Sequence, residues 1–326
     1  MQEKILRILI NAGKNGILQE EFTKKYGISK STVSTILSKF EDEGKIVRKR
    51  VAGKSYRVWH VEYSPFPIPD VLRVGIGRAT EYPAVLLAYK DSDYPKIELK
   101  IYKNAFTLTK DLAEGYLDVG CSPLITQVLF ALVYRNIKIR AGCGFRGGGI
   151  ALRVSNPKIF GSSELSTMEF SLRTYIEKTG IDAQIRYFPS PDRMIKALGS
   201  GEVDAIAIWE PFVTELSQRY KIIRFEELFG RYPCCTLATN MQTENSKEVR
   251  EFLKIYKNAV EQLEERKDEA ISLEAKFLRI KKARIEKAFY GFDYDWKLDM
   301  NVASKFLEEF GLKLTNASKA RIFNLL

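Results

Sequence analysis

Apolar positions fall first into a helical rhythm and then into short runs separated by amphipathic stretches. Ile5, Leu6, Ile8, Leu9 and Ile10 make one face of a helix that stops near Gly13 to Gly16. A second short helix is expected over 19–26, ending at Gly27. Ser29 is a favourable N-cap for a third, in which Val33, Ile36, Leu37 and Phe40 share a face and Gly44 closes the end. Two strands follow, 45–50 and 56–59, joined by a basic turn containing Gly53. Tyr63 to Pro69 then carries three prolines at alternate positions, which predicts a stiff, extended spacer.

From Leu72 the rhythm changes. Strands are expected at 72–77, 97–102, 118–121, 137–142, 150–154, 185–188, 219–225 and 235–240, with helices at 84–89, 106–117, 124–133 and 168–179 between them. This alternation predicts mostly parallel sheet with helices on both faces. The clearest strand lies in Gly201 to Phe212, where a small apolar run ends in Trp209-Glu210-Pro211. Proline halts such a run at its C-terminal end, where crevices of open α/β sheets form. Glu114 to Pro123 has a comparable pattern and brings Cys121 and Ser122 to a second strand tip. Two readings of Trp209 and Glu210 stand: the wall of a ligand cleft, or a core indole beside a solvated carboxylate. After Ser246 four packing helices are expected, over 249–266, 269–278, 283–289 and 302–310.

Glycine and hydroxyl clusters add candidate chemistry. Gly142 to Gly149 holds five of the 21 glycines in eight positions. It reads as backbone crossing between lobes or bending round a small ligand, or else as a surface turn; Arg146 is its cation for an anionic ligand. Ser162, Ser163, Ser166 and Thr167 precede a helix and offer hydroxyls and free amides at its N-terminus, as ligand donors or simply as caps. The Gly75-Ile76-Gly77 segment lacks the third glycine of a dinucleotide fingerprint.

With 326 residues, 45% hydrophobic and 29% charged, the chain has the composition of a soluble globular protein with room for two or three cores. No apolar run is long enough to span a bilayer, and the N-terminus lacks the features of a secretory signal, so a cytoplasmic protein is expected. Cys121, Cys143 and the adjacent pair Cys234 and Cys235 form no spaced metal motif. A single histidine, His60, nearly excludes a histidine-based catalytic or metal site. No catalytic residue, metal or cofactor is expected.

The net charge of +11 is uneven: residues 1–60 carry 13 Lys and Arg against 6 Asp and Glu, a net +7. The expected third helix exposes Lys30, Ser31, Thr32, Ser34 and Thr35, and the hairpin tip carries Arg48, Lys49, Arg50 and Lys54. Short polar donors on a helix and cations on a hairpin suit base edges and phosphates of double-stranded DNA. Ile28 to Val47 with the following hairpin resembles the winged helix-turn-helix domain of archaeal and bacterial transcription regulators.

A second resemblance runs from about Leu72 to Leu263. Leu72-Arg-Val-Gly-Ile-Gly77, Ala113 to Gly120, Ile176 to Asp182, Met194 to Pro211 and Pro233 to Asn240 are similar to segments of type 2 periplasmic binding proteins. The branch is that of nitrate-, taurine- and alkanesulfonate-binding proteins and thiamine-pyrimidine synthesis proteins. The resemblance implies a bilobal fold with two parallel-rich α/β lobes behind the winged helix-turn-helix. The domains would be 1–62, a linker at 63–70, and 71–326, with lobe one at about 71–146 plus 241–326 and lobe two at about 147–240. Crossings between lobes would be Gly147 to Val154 and Cys235 to Asn240. It also implies a ligand cleft lined by Arg78, Thr80, Glu81 and Tyr82, by Cys121 and Ser122, by Gly147 and Gly148 of the glycine-rich crossing, by Ser162 and Ser163, and by Trp209 and Glu210; Arg146, Tyr232 and Cys235 are further candidates for the ligand.

Together these features predict a cytoplasmic, homodimeric, ligand-responsive DNA-binding regulator. Its effector would be a small metabolite, with a thiamine-pyrimidine precursor or its phosphate stacking on Trp209, Tyr82 and Tyr232. The alternative is a solute-binding protein for a small anion such as a sulfonate, without direct DNA binding. The adjacent cysteines are faintly similar to the cysteine-rich segment of fungal thiamine-pyrimidine synthases, but the only histidine lies outside the cleft, so an enzyme is not expected.

Overall fold

The computed structural model describes residues 1–92 and 96–326. Contacts divide it into two units, Met1–Val71 with Glu114–Tyr116, and the remainder.

The first unit contains α1 (Gln2–Ala12), β1 (Ile17–Leu18), α2 (Glu21–Lys24), α3 (Lys30–Asp42), β2 (Ile46–Ala52) and β3 (Ser55–His60). Its strands form an antiparallel sheet in the order β1-β3-β2. The apolar faces of the helices close on a separate core that includes Ile5, Leu9, Phe22, Leu37 and Val58. Ser29 caps α3 by accepting from the Thr32 amide. Strand β1 was not expected; two residues are too few for a periodic signal, and its pairing with β3 supplies the order instead.

Several polar groups expected to face DNA are engaged within the unit. Arg48 pairs with Glu41 at 2.7 Å and lies over the Tyr56 ring. The Thr32 and Ser31 hydroxyls bond the Ser29 hydroxyl, Lys49 lies over the Phe66 ring, and Arg50 donates to the Gly53 carbonyl. Lys30, Ser34, Thr35 and Lys54 are positioned at the surface, Lys30, Ser34 and Lys54 along one groove.

The second unit runs through β4 (Val71–Gly77), α4 (Pro83–Asp91), β5 (Lys96–Tyr102), α5 (Ala105–Ala113), β6 (Val119–Pro123), α6 (Leu124–Tyr134), β7 (Ile137–Arg146) and β8 (Gly148–Leu152). It continues with β9 (Ile159–Ser162), α7 (Thr167–Thr179), β10 (Gln184–Tyr187), α8 (Pro191–Ser200), β11 (Ala205–Trp209), α9 (Phe212–Leu216), β12 (Lys221–Arg224), α10 (Glu226–Phe229) and β13 (Pro233–Asn240). The C-terminal part holds α11 (Lys247–Glu261), α12 (Lys267–Leu278), α13 (Lys282–Ala288), β14 (Phe292–Tyr294), α14 (Met300–Glu309) and α15 (Asn316–Ile322).

Its strands form two sheets, the basis of a bilobal α/β architecture. A six-stranded sheet has the order β14-β7-β13-β6-β4-β5 and a five-stranded sheet the order β10-β9-β11-β8-β12. Both are mixed rather than mostly parallel, because β13 runs antiparallel to β6 and β7, and β8 antiparallel to β11 and β12. The chain changes sheet at Gly147 and again between Arg224 and Pro233, so β13, expected as a crossing, lies wholly in the six-stranded sheet. The glycine-rich stretch is strand on both sides of Gly147 rather than an open loop. Glycine at 147 serves packing: its φ of +80° is left-handed, and any Cβ would enter the Phe292 ring.

A buried ion pair fastens β4 to the entry of β6. Asp118 accepts from the Arg73 amide at 2.8 Å and from its guanidinium at 2.8 and 3.0 Å, so the desolvated carboxylate is fully hydrogen-bonded. The same strand register brings Gly77 and Ser122 to one end of the sheet.

Candidate functional site

Strand tips of the two sheets face a common cavity in the second unit. It is lined by Arg78, Glu81 and Tyr82 after β4, Lys103 and Asn104 after β5, Cys121 and Ser122 in β6, Ser163, Ser166 and Thr167 before and at the start of α7, Trp209 at the end of β11, and Cys234 and Cys235 in β13. About 50 Å³ is open to the centres of water-sized molecules, room for a few waters or a small solute.

Four helices begin at this cavity. Tyr82 is the N-cap of α4, Pro123 of α6 and Ser166 of α7, while the Asn104 side chain accepts from the Thr107 amide in the first turn of α5. The positive ends of four helix dipoles are therefore concentrated on one small space. The Ser166 hydroxyl caps the Glu169 amide and lies 2.7 Å from that of Ser163. Gln127 fixes Ser122 by donating to its hydroxyl at 3.1 Å and to the Thr236 carbonyl at 2.7 Å.

The polar floor consists of Glu81, Tyr82, Cys234 and Cys235, all buried. The Tyr82 hydroxyl donates to Cys235 Sγ at 3.2 Å. Burial pushes the Glu81 carboxyl up to about 8, against the neighbouring Cys235 and Cys234, which lower it. A hydrogen bond from Cys235 pulls the Cys234 thiol down, but burial and the neighbouring Glu81 outweigh it and leave it at about 11. Burial raises the Cys235 thiol well above its ordinary value. Gly144 makes this arrangement possible: a Cβ there would overlap Glu81 Cγ and come within 2.8 Å of Oε1.

Of the residues expected at a ligand, Arg78, Glu81, Tyr82, Cys121, Ser122, Ser163, Trp209 and Cys235 lie on the cavity. The others lie elsewhere. Glu210 is fully buried and accepts from Arg224 at 2.6 Å and from the Thr214 hydroxyl and amide at 2.9 and 3.0 Å. Arg146 pairs with Asp293 of β14, the strand beside it. Tyr232 stacks on Phe306 with ring centroids 5.2 Å apart and accepts from the Gly148 amide, so its face is not open to a ring ligand. Gly148 packs against Met168 and Phe225, Thr80 is buried with its carbonyl accepting from Tyr294, and Ser162 is turned toward the Ser163 carbonyl. Tyr102, Lys103, Asn104 and Cys234 were not anticipated, although Lys103 and Asn104 follow a strand and precede a helix as Arg78 to Tyr82 do.

Comparison with known proteins bears on this geometry. Residues 150–278 match the model of the NMT1-like family. Among solved structures, a zinc-bound ligand-binding component of an ABC-type import system from Staphylococcus aureus is 16% identical, covering 78% of this chain and 96% of its own, with a TM-score of 0.67. The alkanesulfonate-binding protein SsuA from Xanthomonas axonopodis pv. citri, bound to MOPS, is 17% identical over 79% of this chain and 99% of its own, at 0.65. The periplasmic nitrate-binding protein NrtA from Synechocystis PCC 6803 is 15% identical over 79% and 87%, at 0.62. No curated protein matches the sequence. The fold is that of a type 2 periplasmic binding protein.

These findings correct the expectation of a DNA-binding transcription regulator. The similar structures are solute-binding proteins, and neither transcription regulation, double-stranded DNA as a partner nor the winged helix-turn-helix reading finds support among them or in the family match. The basic excess of residues 1–60 misled because net charge is indifferent to partner, and several of its donors are satisfied internally. The expectation of a cytoplasmic protein is corrected by relatives that are themselves periplasmic. These similar structures are a ligand-binding component of an import system and solute-binding proteins, none of them named as an enzyme.

Proposed function

We propose that the protein is a solute receptor that encloses a small oxyanion, or a small molecule carrying one, between its two lobes. The observation that carries the reading is the convergence of the N-termini of α4, α5, α6 and α7 on a single cavity, which favours negative charge there. Arg78 and Lys103 add cationic side chains, and the Ser122, Ser163 and Thr167 hydroxyls add donors. Glu81, held neutral through most of the physiological range by burial, brings little opposing charge. The sulfonate- and nitrate-binding proteins of the same fold support the chemical class, and the limited space supports a ligand of few atoms.

A thermal-shift and calorimetric series tests this on the full chain. Short alkanesulfonates, nitrate and small carboxylates are compared with size-matched alcohols and amines. Binding of an anion at 100 times its Kd stabilises the folded state by about 2.7 kcal/mol, and replacing Ser163 or Thr167 by Ala weakens it. Stabilisation by the neutral or cationic members and not by the anions would sink the reading.

A further inference from the structure

Cys234 and Cys235 are neighbours in a strand, where pleating sends successive side chains to opposite faces. Here both residues line the cavity and their sulfurs lie 4.0 Å apart. The cause is an irregular ladder: Pro233 pairs with Phe145 and Cys235 with Gly144, so Cys234 is an extra residue that the partner strand does not match. Such a bulge turns a side chain away from the regular alternation. Glu81 meets the pair from the loop after β4, over the space left by Gly144. Its carboxylate and the two sulfurs lie within 4.8 Å of one another. Oε1 is buried and has no hydrogen-bond partner, an unsatisfied acceptor of the kind that calls for an explanation.

We propose that Glu81, Cys234 and Cys235 form a binding site for zinc or another thiophilic divalent cation, with the fourth coordination position open to the cavity. Two thiolates and a carboxylate are a donor set that zinc accepts, and three protein ligands with one open position is its usual arrangement where a further ligand must reach it. Binding replaces the two S–H protons and any carboxyl proton by the cation, and these protons pass to solvent. The four helix N-termini offset the negative charge that the thiolates and carboxylate bring into the cavity. An anion held in the cavity would then have the cation's open position as one of its contacts. The inference uses the same cavity as the receptor reading, but it concerns the cation and holds in the absence of solute.

The test is zinc binding to reduced, chelator-stripped full-length protein with no solute added. One zinc per chain is expected, and X-ray absorption of the loaded wild type should show two sulfur neighbours at about 2.3 Å. Cobalt in place of zinc should give tetrahedral visible bands with thiolate charge transfer. Cys234→Ser, Cys235→Ser and Glu81→Gln should each weaken binding by at least about 10-fold, with Cys143→Ser unchanged as the control. Absence of sulfur neighbours in the wild type overturns the site whatever the variants do, as does stoichiometric binding indifferent to both cysteine variants or no stoichiometric binding. Anion titration of both stripped and zinc-loaded protein separates the readings: binding to the stripped protein with no zinc site removes this inference alone, whereas a zinc site with no anion binding in either form removes the receptor reading alone.

Discussion

Arg78 Nη1 lies 2.6 Å from Asp192 Oδ2, joining the loop after β4 in one lobe to the first turn of α8 in the other. Beside it, the Trp209 indole donates to the Arg78 carbonyl at 3.1 Å, and Thr167 donates to the Cys234 carbonyl at 3.2 Å. The lobes are thus joined at the cavity by bonds of unequal burial, the Thr167 contact buried and the Arg78 ion pair open to solvent on the Asp192 side. Because Asp192 is 63% exposed, the ion pair is worth about 0.2–1 kcal/mol. Asp192→Ala should speed solute dissociation by no more than about 5-fold, with little effect on association, and Arg78→Ala by a similar factor on top of the loss of its own contact with the solute. The double variant should lose no more than Asp192→Ala beyond what Arg78 contributes by its own contact with the solute. Stopped-flow tryptophan fluorescence at low and high salt reads this, and an effect that does not diminish with salt would reject the ion pair as its origin.

Glu81 sets a pH dependence of opposite sign to that of an ordinary salt-bridged carboxylate. Its ordinary value is 4.5 and its folded value about 8, so between those limits the unfolded chain loses a proton that the folded chain keeps. Stability therefore falls as pH rises above about 4.5 and levels off above about 8, by a total on the order of 5 kcal/mol. The groups facing it, Cys234, Cys235 and Tyr82, stay neutral across this window because burial raises them all. Urea unfolding of chelator-treated protein between pH 5 and 8.5 should show the decline, and Glu81→Gln should remove that part of it. Equal slopes in the two proteins would exclude Glu81 as the source.

Local signals carried much of the fold. The Ser29 cap and the four apolar residues of α3 lie close in sequence and fixed that helix, and the strand tips at Cys121 to Ser122 and at Trp209 announced an end of sheet where a cavity opens. What eluded the sequence depends on distant partners. The three residues of β14 form a strand because Phe292 pairs with Arg146, far back in the chain. Gly142 to Gly149 looked like loop, yet the glycines admit Glu81 and Phe292 to a strand, a reason that exists only once those neighbours are in place. Glu210 and Arg146 have the chemistry of ligand-binding residues, and their engagement with Arg224 and Asp293 is invisible without the tertiary structure. The bulge that turns Cys234 toward Glu81 is likewise a property of strand pairing, not of the two cysteines.

Glu210 is expected to act as framework. Its carboxylate is fully buried between Arg224 and the start of α9, with Gly291 packed so closely that a Cβ there would come within 2.6 Å of Glu210 Cγ. Truncating one partner of such a pair leaves the other charge uncompensated, so Glu210→Ala should cost about 3–5 kcal/mol. Chemical denaturation checks the loss. A variant of unchanged stability that had lost solute binding would return Glu210 to the ligand site.

The contact between Gly144 and Glu81 allows a sharper test, because it can be relieved from either side. A methyl group on residue 144 overlaps Glu81 Cγ, and Glu81 borders the cavity, into which its side chain can be displaced. Overpacking of this kind costs about 1–3 kcal/mol, so Gly144→Ala should destabilise the protein and drive the Glu81 carboxyl into the volume meant for solute. Glu81→Ala removes the atoms that clash while keeping the backbone. In that background Gly144→Ala should cost little, and the difference between the two costs is the coupling of the pair. Urea unfolding at pH 5, where the carboxyl is protonated in the folded state, keeps the ionisation of Glu81 from entering that difference. Equal costs in both backgrounds would mean that residue 144 needs glycine for its own strand, and that Glu81 reaches the cysteines without its help.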